Sequence, residues 1–121
     1  MGLPNEDEIW ERIKSLEKLV VRTIEKGKEN RILSVSNSDI TIRGRRTRPT
    51  REDVQIYCEV LIRDRMITKE NMPQFGWAGG HKTGRIIMAI LAYALHEYVE
   101  AFPRNNPHVR GLSGIKLTRF C

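Results

Sequence analysis

Ile32-Leu33-Ser34-Val35-Ser36 and Ile40-Thr41-Ile42-Arg43, joined by Asn37-Ser38-Asp39, form the stretch that decides the fold. Both runs alternate and are rich in β-branched residues, with Leu33 and Val35 sharing one face. Two such runs around an Asn-Ser-Asp turn predict a β-hairpin. The residues before it follow a different period. Asn5 and Glu8 have capping-box spacing, and Ile9, Ile13, Leu16, Val20 and Ile24 recur at helical intervals. Lys26 and Lys28 stand where a helix dipole favours cations, and Gly27 suits the position just past a helix end. The spacing therefore predicts an amphipathic helix over 6–26, followed by a change of period at residue 31.

On the other side of the hairpin, Gly44 to Pro49 reads as a polar loop. Thr50 and Asp53 form a second capping box, and Val54, Tyr57, Cys58, Leu61 and Ile62 form the apolar stripe of a helix ending near Arg65. Thr68 to Asn71 suggests one further turn before Pro73. Pro73 to Gly84 is irregular and holds four glycines. A long helix is predicted over 82–101, with Ile86, Ile87, Ile90, Leu91 and Leu95 among its apolar positions. Apolar residues surround most of its first half, which places it at the centre of the fold. Pro103 stops it. Ile115 to Phe120 alternates and predicts a last strand that pairs with the hairpin.

The fold class that follows is α+β: three main helices packed on a small three-stranded antiparallel sheet, in the order α-β-β-α-α-β. A winged helix is built from the same parts. One domain over 1–121 is expected, made of the 6–26 helix and a basic α+β core over 31–120.

The chain has 121 residues, 40% hydrophobic and 30% charged, with a net charge of +6. This composition excludes a disordered polar tail and a disulfide scaffold. The longest uncharged apolar run, Ile86 to Leu95, is too short to cross a bilayer. Cys58 and Cys121 make no disulfide framework, and Met1-Gly2-Leu3-Pro4-Asn5 leads straight into acidic residues with no signal peptide. A reducing cytoplasm is the expected location. Residues 1–30 carry six basic and seven acidic side chains, and residues 31–121 carry fifteen and eight, so the excess lies outside the first helix. Fourteen of the bases are Arg and seven are Lys. Arg presents a planar fork that grips phosphate at two points, so an Arg-rich basic domain points to nucleic acid.

The strongest local feature is Arg43-Gly44-Arg45-Arg46-Thr47-Arg48-Pro49-Thr50-Arg51, with five Arg in nine residues and no acid. It leaves a strand and enters a helix N-terminus, where free backbone N–H groups also favour an anion. Arg43, Arg45, Arg46, Arg48 and Arg51 are the expected phosphate contacts. Lys82 and Arg85 form a second basic patch, at the end of Gly76-Trp77-Ala78-Gly79-Gly80-His81-Lys82-Thr83-Gly84. That segment imitates a P-loop, but His81 occupies the second required glycine and no clear strand precedes it. Trp77 and Phe75 could stack on a base. His96-Glu97-Tyr98-Val99-Glu100 imitates the zinc motif H-E-x-x-H, with Glu100 replacing the second His. The acids of the basic half form no nuclease-like pattern for Mg²⁺. Neither catalytic nor metal residues are assigned, no cofactor is expected, and the chain does not read as an enzyme.

Ile32-Leu33-Ser34-Val35 with Asp39-Ile40-Thr41-Ile42-Arg43 and the Arg-rich loop resembles the opening of small α+β modules of prokaryotic restriction and defence proteins. Thr50-Arg51-Glu52-Asp53-Val54, Leu61 and Met66-Ile67-Thr68 continue the resemblance, which spans residues 20–95 loosely. Such modules look like DNA-binding or accessory domains joined to nuclease or helicase parts. The resemblance implies DNA rather than RNA and supplies no catalytic residue. The function expected is therefore non-catalytic nucleic-acid binding through the Arg-rich loop. The alternative is a protein-interaction or oligomerisation subunit of a larger nuclease or defence complex, pairing with a copy of itself or with a partner through the N-terminal helix. Trp10 discriminates between them. It lies just beside the apolar stripe, and its exposure would mark an interface, whereas burial would mark core packing.

Overall fold

In a computed structural model the chain is described over residues 3–24, 26–46, 48–73, 80–107 and 111–118, and the side chains of residues 80–82 are outside that description. The described residues form, in order, α1 (Glu6–Lys14), β1 (Val20–Arg22), β2 (Glu29–Val35), β3 (Ile40–Ile42), α2 (Arg51–Asp64), β4 (Met66–Thr68), α3 (Gly80–Ala94), β5 (Val99–Phe102) and β6 (Gly114–Leu117). The fold is α+β, with three helices and two three-stranded antiparallel sheets among these residues, ordered β1-β2-β3 and β4-β6-β5. The expected single sheet is thus replaced by two. The last strand does not join the hairpin; it is the centre of the second sheet.

The N-terminal helix is shorter than its apolar period implies. Asn5 caps α1 by accepting from the Glu8 N–H at 2.9 Å, and Ile9, Trp10 and Ile13 are buried. It ends at Lys14 and not at 26. Lys18 takes a left-handed conformation, and its N–H donates to the Ile32 carbonyl at 2.7 Å, so the chain turns onto β2. Val20-Val21-Arg22 then pairs with Glu29-Asn30-Arg31. Val21, one residue out of helical phase with Val20, is the fully buried member. Gly27 has φ +63 and serves the β1–β2 turn, where its N–H donates to the Thr23 carbonyl. A positive φ is wanted after a helix and in a tight turn alike, and this is why Gly27 reads as a helix terminator.

The β2–β3 hairpin is present. Its turn is organised by Ser36, whose hydroxyl accepts from the N–H groups of Ser38 and Asp39 and donates to Asp39 Oδ1. The register shifts between Ile32 and Ser34, so Ile32 faces the core while Leu33 is 44% exposed. Thr50 and Asp53 make the reciprocal capping box at the start of α2, both bonds being 3.0 Å. The helix buries Val54, Tyr57, Cys58, Val60 and Leu61, and Ile62 points outward. Arg65, left-handed at φ 70, closes it.

Helix α3 packs against β1 of the first sheet and β5 and β6 of the second, and Ile86, Ile87, Ile90 and Leu91 are essentially inaccessible. It is central, as expected, but ends at Ala94 and not at 101. Turn hydrogen bonds from Tyr98 and Val99 to the Leu95 carbonyl release the chain into β5, whose β-branched and aromatic ends, Val99 and Phe102, are its buried residues. One buried cluster runs from Ile9 to Leu117 through both sheets. Gly84 belongs to the helix and permits close packing, because a methyl there would overlap the Tyr57 hydroxyl and the Met72 sulfur. No described helix is long and apolar enough to cross a membrane.

Candidate nucleic-acid interface

The sheet edges and turns bring five cationic side chains to one concavity. The β1–β2 turn is held at its base by two backbone bonds, Thr23 N–H to Lys28 carbonyl and Gly27 N–H to Thr23 carbonyl. The Thr23 hydroxyl also accepts from the Lys28 N–H at 3.0 Å. That turn carries Lys26 and Lys28. After β3, Gly44 at φ 77 reverses the chain, and the Arg45 N–H donates to the Ile42 carbonyl at 3.1 Å. After β4, Asn71 fixes the next turn by accepting from the Thr68 N–H at 2.7 Å and donating to the Met66 carbonyl at 2.8 Å. That turn carries Lys69. Arg85 projects from α3.

Lys26, Lys28, Arg45, Lys69 and Arg85 line a cavity of about 310 Å³. No carboxylate is among its described lining residues. The three lysines are exposed, the two arginines are half-buried, and Met72 and Met88 below them are buried. A concavity lined by cations of one sign is a place where an anion is favoured.

Asn30 braces two segments of this arrangement from β2. It is buried on the inward face of β2, where its Oδ1 accepts from Arg45 Nε at 3.3 Å and its Nδ2 donates to the Lys28 carbonyl at 3.1 Å. One amide therefore ties the lysine-bearing turn to the arginine-bearing loop. Fixing Nε also orients the guanidinium, a group able to donate to an anion at two points.

The Arg cluster does not act as one patch. Arg43 and Arg46 are exposed on the loop that holds Arg45. Arg48 is exposed and lies 4.0 Å from Asp39. Arg51 is engaged elsewhere. Its Nε donates to Glu6 at 2.9 Å, its Nη2 donates to Asp7, and its guanidinium lies 5.7 Å from the centre of the Trp10 ring. The bond to Glu6 raises its pKa further and holds it charged. It lines a second, smaller cavity between α1 and α2. Of the second patch, Arg85 reaches the first cavity. Lys82 is in α3, but its side chain lies outside the described residues, as do that of His81 and the whole of Phe75, Gly76, Trp77 and Gly79.

Trp10 is 1% exposed, and its indole N–H donates to the Ser36 carbonyl at 2.8 Å. It is part of the hydrophobic core, and its burial marks core packing. His96 and Glu97 sit in the turn after α3 and Glu100 is on β5, so the three do not share a helix face; Glu97 instead pairs with Arg12 at 3.6 Å.

Four residues of the site escape sequence reasoning, Lys69 among them because it reads only as part of a lone turn before Pro73. Lys26 and Lys28 are drawn into the predicted helix end, and Asn30 precedes the predicted start of the hairpin. The signal present is Val20-Val21 before Lys26-Gly27-Lys28, a β-branched pair followed by a glycine turn. In comparisons with known proteins, the sequence matches no family model, no curated protein and no solved structure.

Proposed function

We propose that this chain is a non-catalytic nucleic-acid-binding protein that grips phosphates with the cations of the 310 Å³ cavity, Arg45 and Arg85 foremost. The observation that carries this reading is the meeting of five cations from four separate chain segments without a described carboxylate among them. Exposed Arg43 and Arg46 extend the basic surface along the same loop. Arg51, already held by two carboxylates, is left out of the grip. The resemblance to modules of restriction and defence proteins favours DNA over RNA. The reading rests on the cavity and not on a winged-helix arrangement.

The test is fluorescence-anisotropy titration of single-stranded DNA, duplex DNA and RNA at low salt. Arg45→Ala and Arg85→Ala should each weaken binding about ten-fold, as expected for loss of a charge-assisted contact. Lys14→Gln, on a half-buried residue of α1 outside the cavity, should leave it unchanged. Absence of binding at low salt, or binding indifferent to both arginine variants, overturns the proposal.

A further inference from the structure

The cavity is layered. Exposed lysines stand at the rim, half-buried arginines form the wall, and buried Met72, Met88 and Gly114 lie at the bottom. A groove meant only to track a backbone needs charge along an open path. This cavity instead has buried Met72, Met88 and Gly114 in its lining, and its volume is at the lower end of the roughly 300–1,000 Å³ typical of small-molecule sites.

The chemistry of each layer suits one part of a nucleotide. A terminal phosphomonoester carries about −1.5 to −2 charges and three strong acceptor oxygens, more than an internal diester. Five cations compensate such a group better than they would a single diester charge. Arg45 is oriented for two-point contact by Asn30. The methionines at the bottom are polarizable and adaptable, and thioether sulfur packs favourably against aromatic rings, so they can receive a base. A strand whose end meets the buried side of such a cavity stops there.

We infer that the cavity is a pocket for one terminal nucleotide, with the Arg45–Arg85 wall and lysine rim holding its phosphomonoester and the Met72–Met88 floor receiving its nucleoside. This deepens the nucleic-acid reading and rests on it.

The experiment compares one short single-stranded oligonucleotide bearing a 5′-phosphate, a 3′-phosphate or neither, together with a circular single strand that has no ends. One phosphorylated form should bind about ten-fold more tightly than the unphosphorylated and circular forms. Arg85→Ala should abolish that preference and not merely lower all affinities together, a pattern that partial unfolding would not produce. The matching nucleoside monophosphate should displace the oligonucleotide at concentrations where inorganic phosphate does not. Equal binding of linear, circular and phosphorylated strands refutes the terminal pocket while leaving nucleic-acid binding intact. Displacement by inorganic phosphate as effective as by the mononucleotide refutes the nucleoside floor. Absence of binding to every strand removes the underlying reading as well.

Discussion

Asn30→Ala removes the amide that joins the two basic segments, and its cost can be worked from the structure. The Nδ2 bond to the Lys28 carbonyl is 3.1 Å and neutral, worth about 1 kcal/mol net. The bond from Arg45 Nε is charge-assisted but long, at 3.3 Å, and is placed at about 1 kcal/mol, below the usual ~1.5–3 for charged partners. Truncating a side chain that is 5% exposed adds some lost packing. The sum is about 2–3 kcal/mol. For a chain of 121 residues this is roughly 6–15 °C in Tm. Urea and thermal unfolding followed by circular dichroism measure it, and Arg45→Ala with the double variant completes a thermodynamic cycle. The cycle should return a coupling of about 1 kcal/mol between Asn30 and Arg45. DNA affinity of the folded Asn30→Ala protein should fall as well, because Arg45 loses its orientation. A stability change below about 0.5 kcal/mol, or zero coupling with Arg45, refutes the assignment of Asn30 as the positioning residue.

Three further outcomes follow from the packing and ionisation. Gly84→Ala should destabilise the fold by about 1–3 kcal/mol in urea titrations, because the added methyl meets Tyr57 and Met72. Burial pushes the Cys58 thiol up to about 12, so in a Cys121→Ser background thiol reagents at pH 8 should label it only as the protein unfolds. Asp64 is held down at about 2, first by its bond from Arg63 and then by that from Asn71. Its contribution is complete above the ordinary value of 3.8 and is lost as the pH falls through about 2, so Asp64→Asn should flatten the acid limb of stability between those values.

The parts legible in the sequence are those with a local chemical cause. Thr50 and Asp53 announce the start of α2 because a capping box lies within four residues. The encircling apolar residues of α3 announce its central place. What the sequence conceals depends on partners far along the chain. Val20 and Ile24 fit a helical period by spacing alone, yet Val20 pairs with Arg31 in β1 and Ile24 lies in the turn that follows. Strands β4 and β5 hold three and four residues, too few to show a period, and both are ordered by β6 from the far end of the chain. The same holds for the basic site. Arg45 and Arg85 stand out as cations, but nothing local brings them together. Nothing local shows that Arg51 is held by Glu6 and Asp7 on another helix. Charge counted along a chain says how many cations there are; the fold decides which of them remain for a ligand.

The central claim is that the cavity cations hold nucleic-acid phosphates, and its most direct measurement is the salt dependence of binding to single-stranded DNA. Each phosphate contact contributes about −0.7 to the slope of log K against log salt. The Arg45→Ala/Arg85→Ala protein should bind more weakly and with a slope shallower by roughly one or more. A double variant whose slope and affinity match those of the parent protein contradicts the account.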